Sequence, residues 1–76
     1  MKQSKVKSAI RGAVREYLKM LNCDDWSRVI LHNVPLSRAC DYKLLNNELT
    51  ILYPTNKKRV INLADELFRI CGFVVK

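Results

Sequence analysis

Glycine, histidine and cysteine are scarce in this 76-residue chain, which has two glycines, one histidine and three cysteines. No two of the cysteines are close in sequence. Gly12 and Gly72 lie 60 residues apart, so they cannot build the glycine-rich motifs that bind phosphates or expose a nucleophile, whose glycines lie within a few residues of one another. Cys23, Cys40 and Cys71 are separated by 17 and 31 residues, whereas the ligands of structural zinc usually come in close pairs. We therefore expect no metal, no cofactor and no enzymatic activity.

Long apolar runs are also missing, because no stretch approaches the ~18 apolar residues of a membrane-spanning helix. The odd number of cysteines argues against a disulfide scaffold, and free thiols are typical of a reducing compartment. A chain of this length forms one small domain. We expect a single basic domain over residues 1–76, located in the cytoplasm.

Acidic residues are outnumbered, since 14 Lys and Arg stand against 7 Asp and Glu, for a net charge of +7. The excess lies in two segments. Residues 1–22 contain six basic residues and one acidic residue, and residues 56–76 contain five and two. Such an imbalance is typical of proteins with polyanionic partners.

Apolar spacing predicts two helices in the first half of the chain. A helix over residues 4–22, with Ser4 as its N-cap, places apolar side chains at intervals of three and four residues. Those side chains are Val6, Ile10, Ala13, Val14, Tyr17, Leu18 and Leu21. Asp24 or Asp25 caps a short second helix over residues 26–32, which buries Trp26, Val29 and Ile30.

A β-hairpin is predicted next, with a two-residue type I′ turn at Asn46 and Asn47. This turn pairs Leu45 with Glu48 and, at the far end, Cys40 with Tyr53. Alternation then sends six apolar or aromatic side chains to one face of the sheet. They are Cys40, Tyr42, Leu44, Leu49, Ile51 and Tyr53.

The last part of the chain predicts a third helix over residues 57–71, capped by Thr55 or Asn56 and closed by Gly72. Its apolar stripe consists of Val60, Leu63, Ala64, Leu67, Phe68 and Cys71. Residues 73–75 add a short strand. The predicted fold is therefore α+β, in the order α-α-β-β-α-β, with an antiparallel hairpin sheet covered on one face by helices.

The first group of candidate binding residues repeats every four positions along the first helix, opposite its apolar stripe. Like charges at this spacing repel by about 0.2–0.5 kcal/mol per pair, and Glu16 is the one acidic residue in the segment. A polyanion would offset that repulsion, although a solubilising face is the alternative interpretation. The residues are Lys7, Arg11, Arg15 and Lys19.

The second group occupies the first turn of the predicted third helix. Cations there oppose the helix dipole, at about 0.3–1 kcal/mol each, and a bound phosphate would reverse that penalty. The alternative is surface charge that salt screens. The group consists of Lys57, Lys58 and Arg59, with Asn56 as a further hydrogen-bond donor.

The element order resembles the N-terminal, KH-like domain of the bacterial replication initiator DnaA, and the related domain of the helicase loader DciA. The matching pieces are residues 13–21, 26–31, 43–45, 49–56, 61–72 and 73–75. This resemblance implies a role near DNA replication and a domain that docks proteins, with at most weak single-strand binding. The G-x-x-G loop of nucleic-acid-binding KH domains is absent from the sequence.

Two functions follow from these observations. The first is a non-enzymatic nucleic-acid-binding protein, linked to replication or transcription, that contacts DNA or RNA phosphates through a basic helix face. The second is a docking adaptor or inhibitor that binds an acidic surface of a replication or transcription factor. A membrane-surface helix would need a free apolar stripe, which we expect the hairpin to cover. The composition is compatible with a homodimer.

Overall fold

The computed structural model describes the backbone of residues 2–75 and the side chains of residues 5–75. Helix α1 spans Lys2–Met20 and helix α2 spans Ser27–Ile30. Strands β1 (Asp41–Leu45), β2 (Glu48–Leu52) and β3 (Lys58–Asn62) precede helix α3 (Leu63–Cys71). Short 3-10 turns at Leu36–Arg38 and Pro54–Asn56 lead into β1 and β3. In this part of the chain, no helix is long and apolar enough to cross a membrane.

The predicted α+β class is confirmed, with one antiparallel sheet in the order β1-β2-β3. Leu49, Ile51 and Ile61 point to one face of this sheet and are buried. They form a single core with Ile10, Val14, Tyr17 and Leu18 of α1 and with Leu63 and Leu67 of α3. Leu45, Leu52 and Val60 point to the opposite face and are exposed. One face of the sheet is therefore covered by helices and the other is open.

The first helix is confirmed, but its first residue is Lys2, so Ser4 lies inside the helix and does not precede it. The second helix is shorter than predicted. Its N-cap residue is Trp26 rather than the predicted Asp24 or Asp25, because the helix begins at Ser27. Asp25 still accepts hydrogen bonds from the backbone N–H and the hydroxyl of Ser27 at 3.0 and 2.6 Å. Ile30 is buried as predicted, whereas Trp26 is half-buried and Val29 is 45% exposed.

The hairpin register is confirmed, since Leu45 pairs with Glu48, Leu44 with Leu49 and Tyr42 with Ile51. Two details differ from the prediction. Asn46 has a φ of 57° while Asn47 does not have a positive φ, so the turn is not type I′, which needs both. The ladder ends at Asp41, and Cys40 is exposed rather than paired with Tyr53.

The predicted start of the third helix is wrong. Residues 58–62 form β3, which pairs with β2 in antiparallel register, with Leu49 opposite Ile61 and Thr50 opposite Val60. Helix α3 begins at Leu63, not at the predicted residue 57. Its N-cap is Asn62, whose side chain accepts a hydrogen bond from the Asp65 N–H at 3.1 Å. Neither Thr55 nor Asn56 caps a helix, since both have positive φ, 66° and 62°.

The end of α3 follows the predicted pattern at Gly72, whose φ of 71° is the left-handed conformation expected after a helix. Residues 73–75 form no strand, contrary to the prediction. In the predicted apolar stripe, Leu63 and Leu67 are buried, but Val60 is 52% and Phe68 62% exposed. Helix α3 therefore packs on the core through a narrower face than the spacing indicated.

Candidate nucleic-acid interface

Helix α1 presents the first group of candidate residues on the side away from the core. Arg11, Arg15 and Lys19 are exposed, and Lys7 is half-buried. At about 1.5 Å of rise per residue, the four side chains cover about 18 Å of helix. We call this row of Lys7, Arg11, Arg15 and Lys19 the α1 basic face.

The N-terminal half of the α1 basic face borders a groove of about 460 Å³ between α1 and the segment that follows Arg28. Lys7 and Arg11 line one side of the groove, and Arg28 and His32 line the other. Its apolar lining comes from Leu31, Val34, Pro35 and Leu36. Among the described residues that line this basic groove, none is acidic, so its positive charge is not neutralised locally.

The C-terminal half of the α1 basic face has a different electrostatic environment. The Arg15 Nε atom lies 3.2 Å from an Asp25 carboxylate oxygen. Hydrogen bonds from Ser27, together with the charge of Arg15, hold the pKa of Asp25 below its usual value. A depression that contains Arg15 and Lys19 also contains Glu16 and Asp25. Among the described residues, carboxylates therefore partly offset the charge of Arg15 and Lys19, whereas none lines the groove beside Lys7 and Arg11.

The second group of candidate residues is not at a helix N-terminus, contrary to the prediction. Lys57 precedes β3, and Lys58 and Arg59 are its first two residues, all three exposed. Without a helix at this position, the helix dipole on which the predicted phosphate site depended is absent there. Asn56 is exposed in the turn before the strand.

Lys57 borders a second depression, of about 320 Å³, together with Arg38, Tyr53 and Pro54. Pro35 lines both this depression and the basic groove. The Leu36–Arg38 turn thus connects the two basic regions on one side of the molecule. The Tyr53 hydroxyl is buried without a hydrogen-bond partner among the described residues. Burial raises the pKa of Tyr53, and the nearby charge of Arg59 partly offsets this effect.

Three basic or titratable side chains of this surface were not predicted from the sequence: Arg28, His32 and Arg38. The four-residue interval between Arg28 and His32 is the one signal that could have indicated a shared side. The proximity of Arg28 and His32 to Lys7 and Arg11 depends on how residues 31–37 fold back against α1, which no local pattern encodes.

Metal ligands are not assembled in the described part of the chain, where no group of three or more His, Cys, Asp or Glu could bind an ion. The three cysteines are free thiols. Burial, and secondarily the neighbouring Cys71, raises the pKa of the Cys23 thiol. His32 lines the basic groove while Cys23 lines a separate depression, so the structure does not bring these two residues together.

Comparisons with known proteins give no relative. No protein-family model matches the chain, and no curated protein or solved structure matches it significantly.

Proposed function

We propose that the protein binds the sugar–phosphate backbone of nucleic acid through the basic groove. The observation that supports this proposal is the convergence of Lys7, Arg11 and Arg28, from two separate segments, on one groove with no acidic side chain among its described lining residues. Cations held together without carboxylates repel one another, and a polyanion relieves that repulsion while it releases counterions.

Dimensions are compatible with a backbone contact. The α1 basic face covers about 18 Å, and one strand of a duplex has a phosphate about every 3.4 Å along the helix axis. The row is therefore long enough to contact more than one phosphate of a strand before that strand winds away around the duplex. Among the described residues, carboxylates lie beside Arg15 and Lys19, whereas none lines the basic groove. We therefore assign the phosphate contacts to the groove residues Lys7, Arg11 and Arg28.

Sequence preference should be weak. Among the described residues, no Phe, Tyr or Trp side chain lines the basic groove, although stacking on such rings is how single-stranded bases are usually bound. Tyr17 is buried, and Tyr42 and Tyr53 are half-buried on the covered side of the sheet. Contacts to phosphates fix position and strengthen binding without distinguishing bases.

The decisive experiment is a fluorescence-anisotropy titration of a labelled 30-mer, single- and double-stranded, at about 50 and 200 mM salt. Three phosphate contacts give a salt slope of about −2.7 on duplex DNA, which weakens binding roughly 40-fold between these concentrations. On single strands the slope is about −2.1 and the loss roughly 20-fold.

Variants Arg11→Gln and Arg28→Gln should each reduce the salt slope by about one and weaken binding on every sequence tested. Lys43→Gln is the matched control, because Lys43 is an exposed cation on the open face of the sheet and the substitution removes the same charge. Equal effects of the three substitutions would refute the assignment to the groove. Absence of binding at 50 mM salt would refute the function and favour an acidic protein surface as the partner.

A further inference from the structure

Strand β3 is an edge of the sheet, and its hydrogen-bonding pattern shows which backbone groups have no partner. The Tyr53 N–H donates to the Lys57 carbonyl at 2.8 Å, and the Leu63 N–H donates to the Asn47 carbonyl at 2.7 Å. Both pairs continue the register of the β2–β3 ladder. Hydrogen-bonded pairs alternate along an antiparallel ladder, so Arg59 and Ile61 also bond to β2.

The intervening residues, Lys58 and Val60, therefore direct their N–H and C=O groups away from β2. Asn62 directs its N–H group the same way. In residues 2–75 no backbone hydrogen bond outside the strands and helices involves these groups. Four of the five β3 residues are exposed, and Val60 is 52% exposed. The outer edge of β3 is thus open to solvent along its length.

The opposite edge of the sheet is less accessible. The two-residue hairpin makes Leu45 and Glu48 a hydrogen-bonded pair, so Tyr42 and Leu44 are the residues of β1 whose backbone groups face outward. Both are half-buried on the covered side. The outward backbone groups of β3 are therefore more accessible to an added strand than those of β1.

Charge selects the kind of strand that this edge can accept. Lys57, Lys58 and Arg59 are three consecutive exposed cations, and β3 contains no acidic residue. We propose that the β3 edge binds an extended acidic peptide by strand addition, with carboxylates opposite Lys58 and Arg59 and a β-branched side chain opposite Val60. Backbone hydrogen bonds supply affinity in this mode and side chains supply specificity.

A second copy of the chain fits this edge less well. In an antiparallel pair centred on Val60, Lys58 would face Asn62 of the other copy, and in a parallel pair it would face a cation. Neither arrangement gives the cations a carboxylate. Lysine on an edge strand is a known protection against such self-pairing. This binding site uses residues outside the basic groove, so it does not depend on the proposed nucleic-acid function.

The test uses a capped synthetic peptide, Thr-Val-Thr-Val-Glu-Glu-Glu, whose second valine lies opposite Val60 in an antiparallel addition. At saturation we expect hydrogen exchange of the Lys58 and Val60 amides to slow by about tenfold or more, as for one new net hydrogen bond. The Arg59 and Ile61 amides, already bonded to β2, should change little. A peptide that binds without slowing exchange at Lys58 and Val60 overturns the proposal.

Two controls separate strand addition from simple charge attraction. The same peptide, N-methylated at the residues opposite Val60 and Lys58, keeps its charges but cannot pair, and it should bind at least about tenfold more weakly. Equal binding of the two peptides overturns the proposal. Slow exchange of these amides in the free protein, together with dimers in sedimentation, also overturns it, because a second copy would then occupy the edge.

Variants of the protein complete the test. Val60→Pro removes an outward N–H that β2 does not use, so the strand should persist, as edge strands tolerate proline there, while peptide binding is lost. Lys58→Glu should weaken binding about tenfold. That variant should recover binding with a peptide in which lysine replaces the glutamate opposite position 58. Failure of this charge exchange, in a variant that remains folded, overturns the predicted register.

Discussion

Replacement of Asn62 by alanine tests where α3 begins, and with it the position of the three cations that precede the helix. The Asn62 side chain accepts the Asp65 N–H at 3.1 Å, and its φ and ψ of −89° and 108° are those of an extended N-cap residue. Alanine cannot accept this bond, so the substitution should destabilise the protein by about 1 kcal/mol. Because unfolding entropy is about 2.1 cal/mol/K per residue, the expected fall in Tm for a chain of this length is about 6 °C.

The sign of this effect distinguishes two structures. If the helix began near residue 57, Asn62 would lie in its interior, where alanine is more favourable than asparagine by roughly 0.6 kcal/mol, and the variant would be more stable. Thr55→Gly gives a second comparison. A β-branched residue at a φ of 66° is strained, so glycine should stabilise the protein by up to about 1 kcal/mol, whereas at a helix N-cap it would cost a few tenths.

Urea unfolding followed by far-UV circular dichroism measures both variants against the parent. Parallel slopes with a lower midpoint for Asn62→Ala are expected, since a stability change leaves the slope unaffected. A higher midpoint for Asn62→Ala would refute the reasoning. It would move the helix start upstream, return Lys57, Lys58 and Arg59 to a helix N-terminus, and remove the free edge on which peptide binding depends.

Two further predictions concern the core. Leu67→Ala should lower the free energy of unfolding by about 3 kcal/mol, because Leu67 is fully buried, out of a total of roughly 4–11 kcal/mol. Phe68→Ala should change the free energy of unfolding by less than about 0.5 kcal/mol, because Phe68 is 62% exposed. Similar losses for the two variants in urea unfolding would contradict the observed packing face of α3. Tyr17→Phe should raise stability by about 1 kcal/mol, since the Tyr17 hydroxyl is buried with no hydrogen-bond partner among the described residues. Burial also raises the pKa of Tyr17. The parent protein should therefore lose stability as the pH rises above about 10, the pKa of a tyrosine in an unfolded chain, and Tyr17→Phe should lose less. A Tyr17→Phe variant that is less stable than the parent would show that the hydroxyl has a hydrogen-bond partner.

Local pattern was sufficient for the elements whose side chains and backbone bonds lie close in sequence. The periodic apolar residues of α1 predicted the buried positions Ile10, Val14 and Leu18, and a short turn at Asn46 predicted the β1–β2 register. Gly72 marked the end of α3. Each of these features depends on residues that are close in sequence, through helical or strand periodicity or through a turn conformation.

The conformation of residues 57–62 depends on tertiary structure rather than on the local sequence pattern. Val60, Leu63, Ala64 and Leu67 fit a helical repeat, so the local pattern favoured an early helix. The edge of β2 instead supplies hydrogen bonds that a helix at this position would not use, and Leu49 packs opposite Ile61 in the core. That competition depends on a partner strand that no local window contains.

The basic binding surface also has one part that the local sequence pattern predicts and another that only the fold determines. Composition and four-residue spacing were enough to predict an exposed basic row on the first helix, because a cation on a helix surface needs only a position opposite the core. Which of those cations remain free was decided by the fold, since Asp25 reaches Arg15 while Arg28 joins Lys7 and Arg11. Electrostatic interactions depend on distance in space, and chain folding sets that distance between residues remote in sequence.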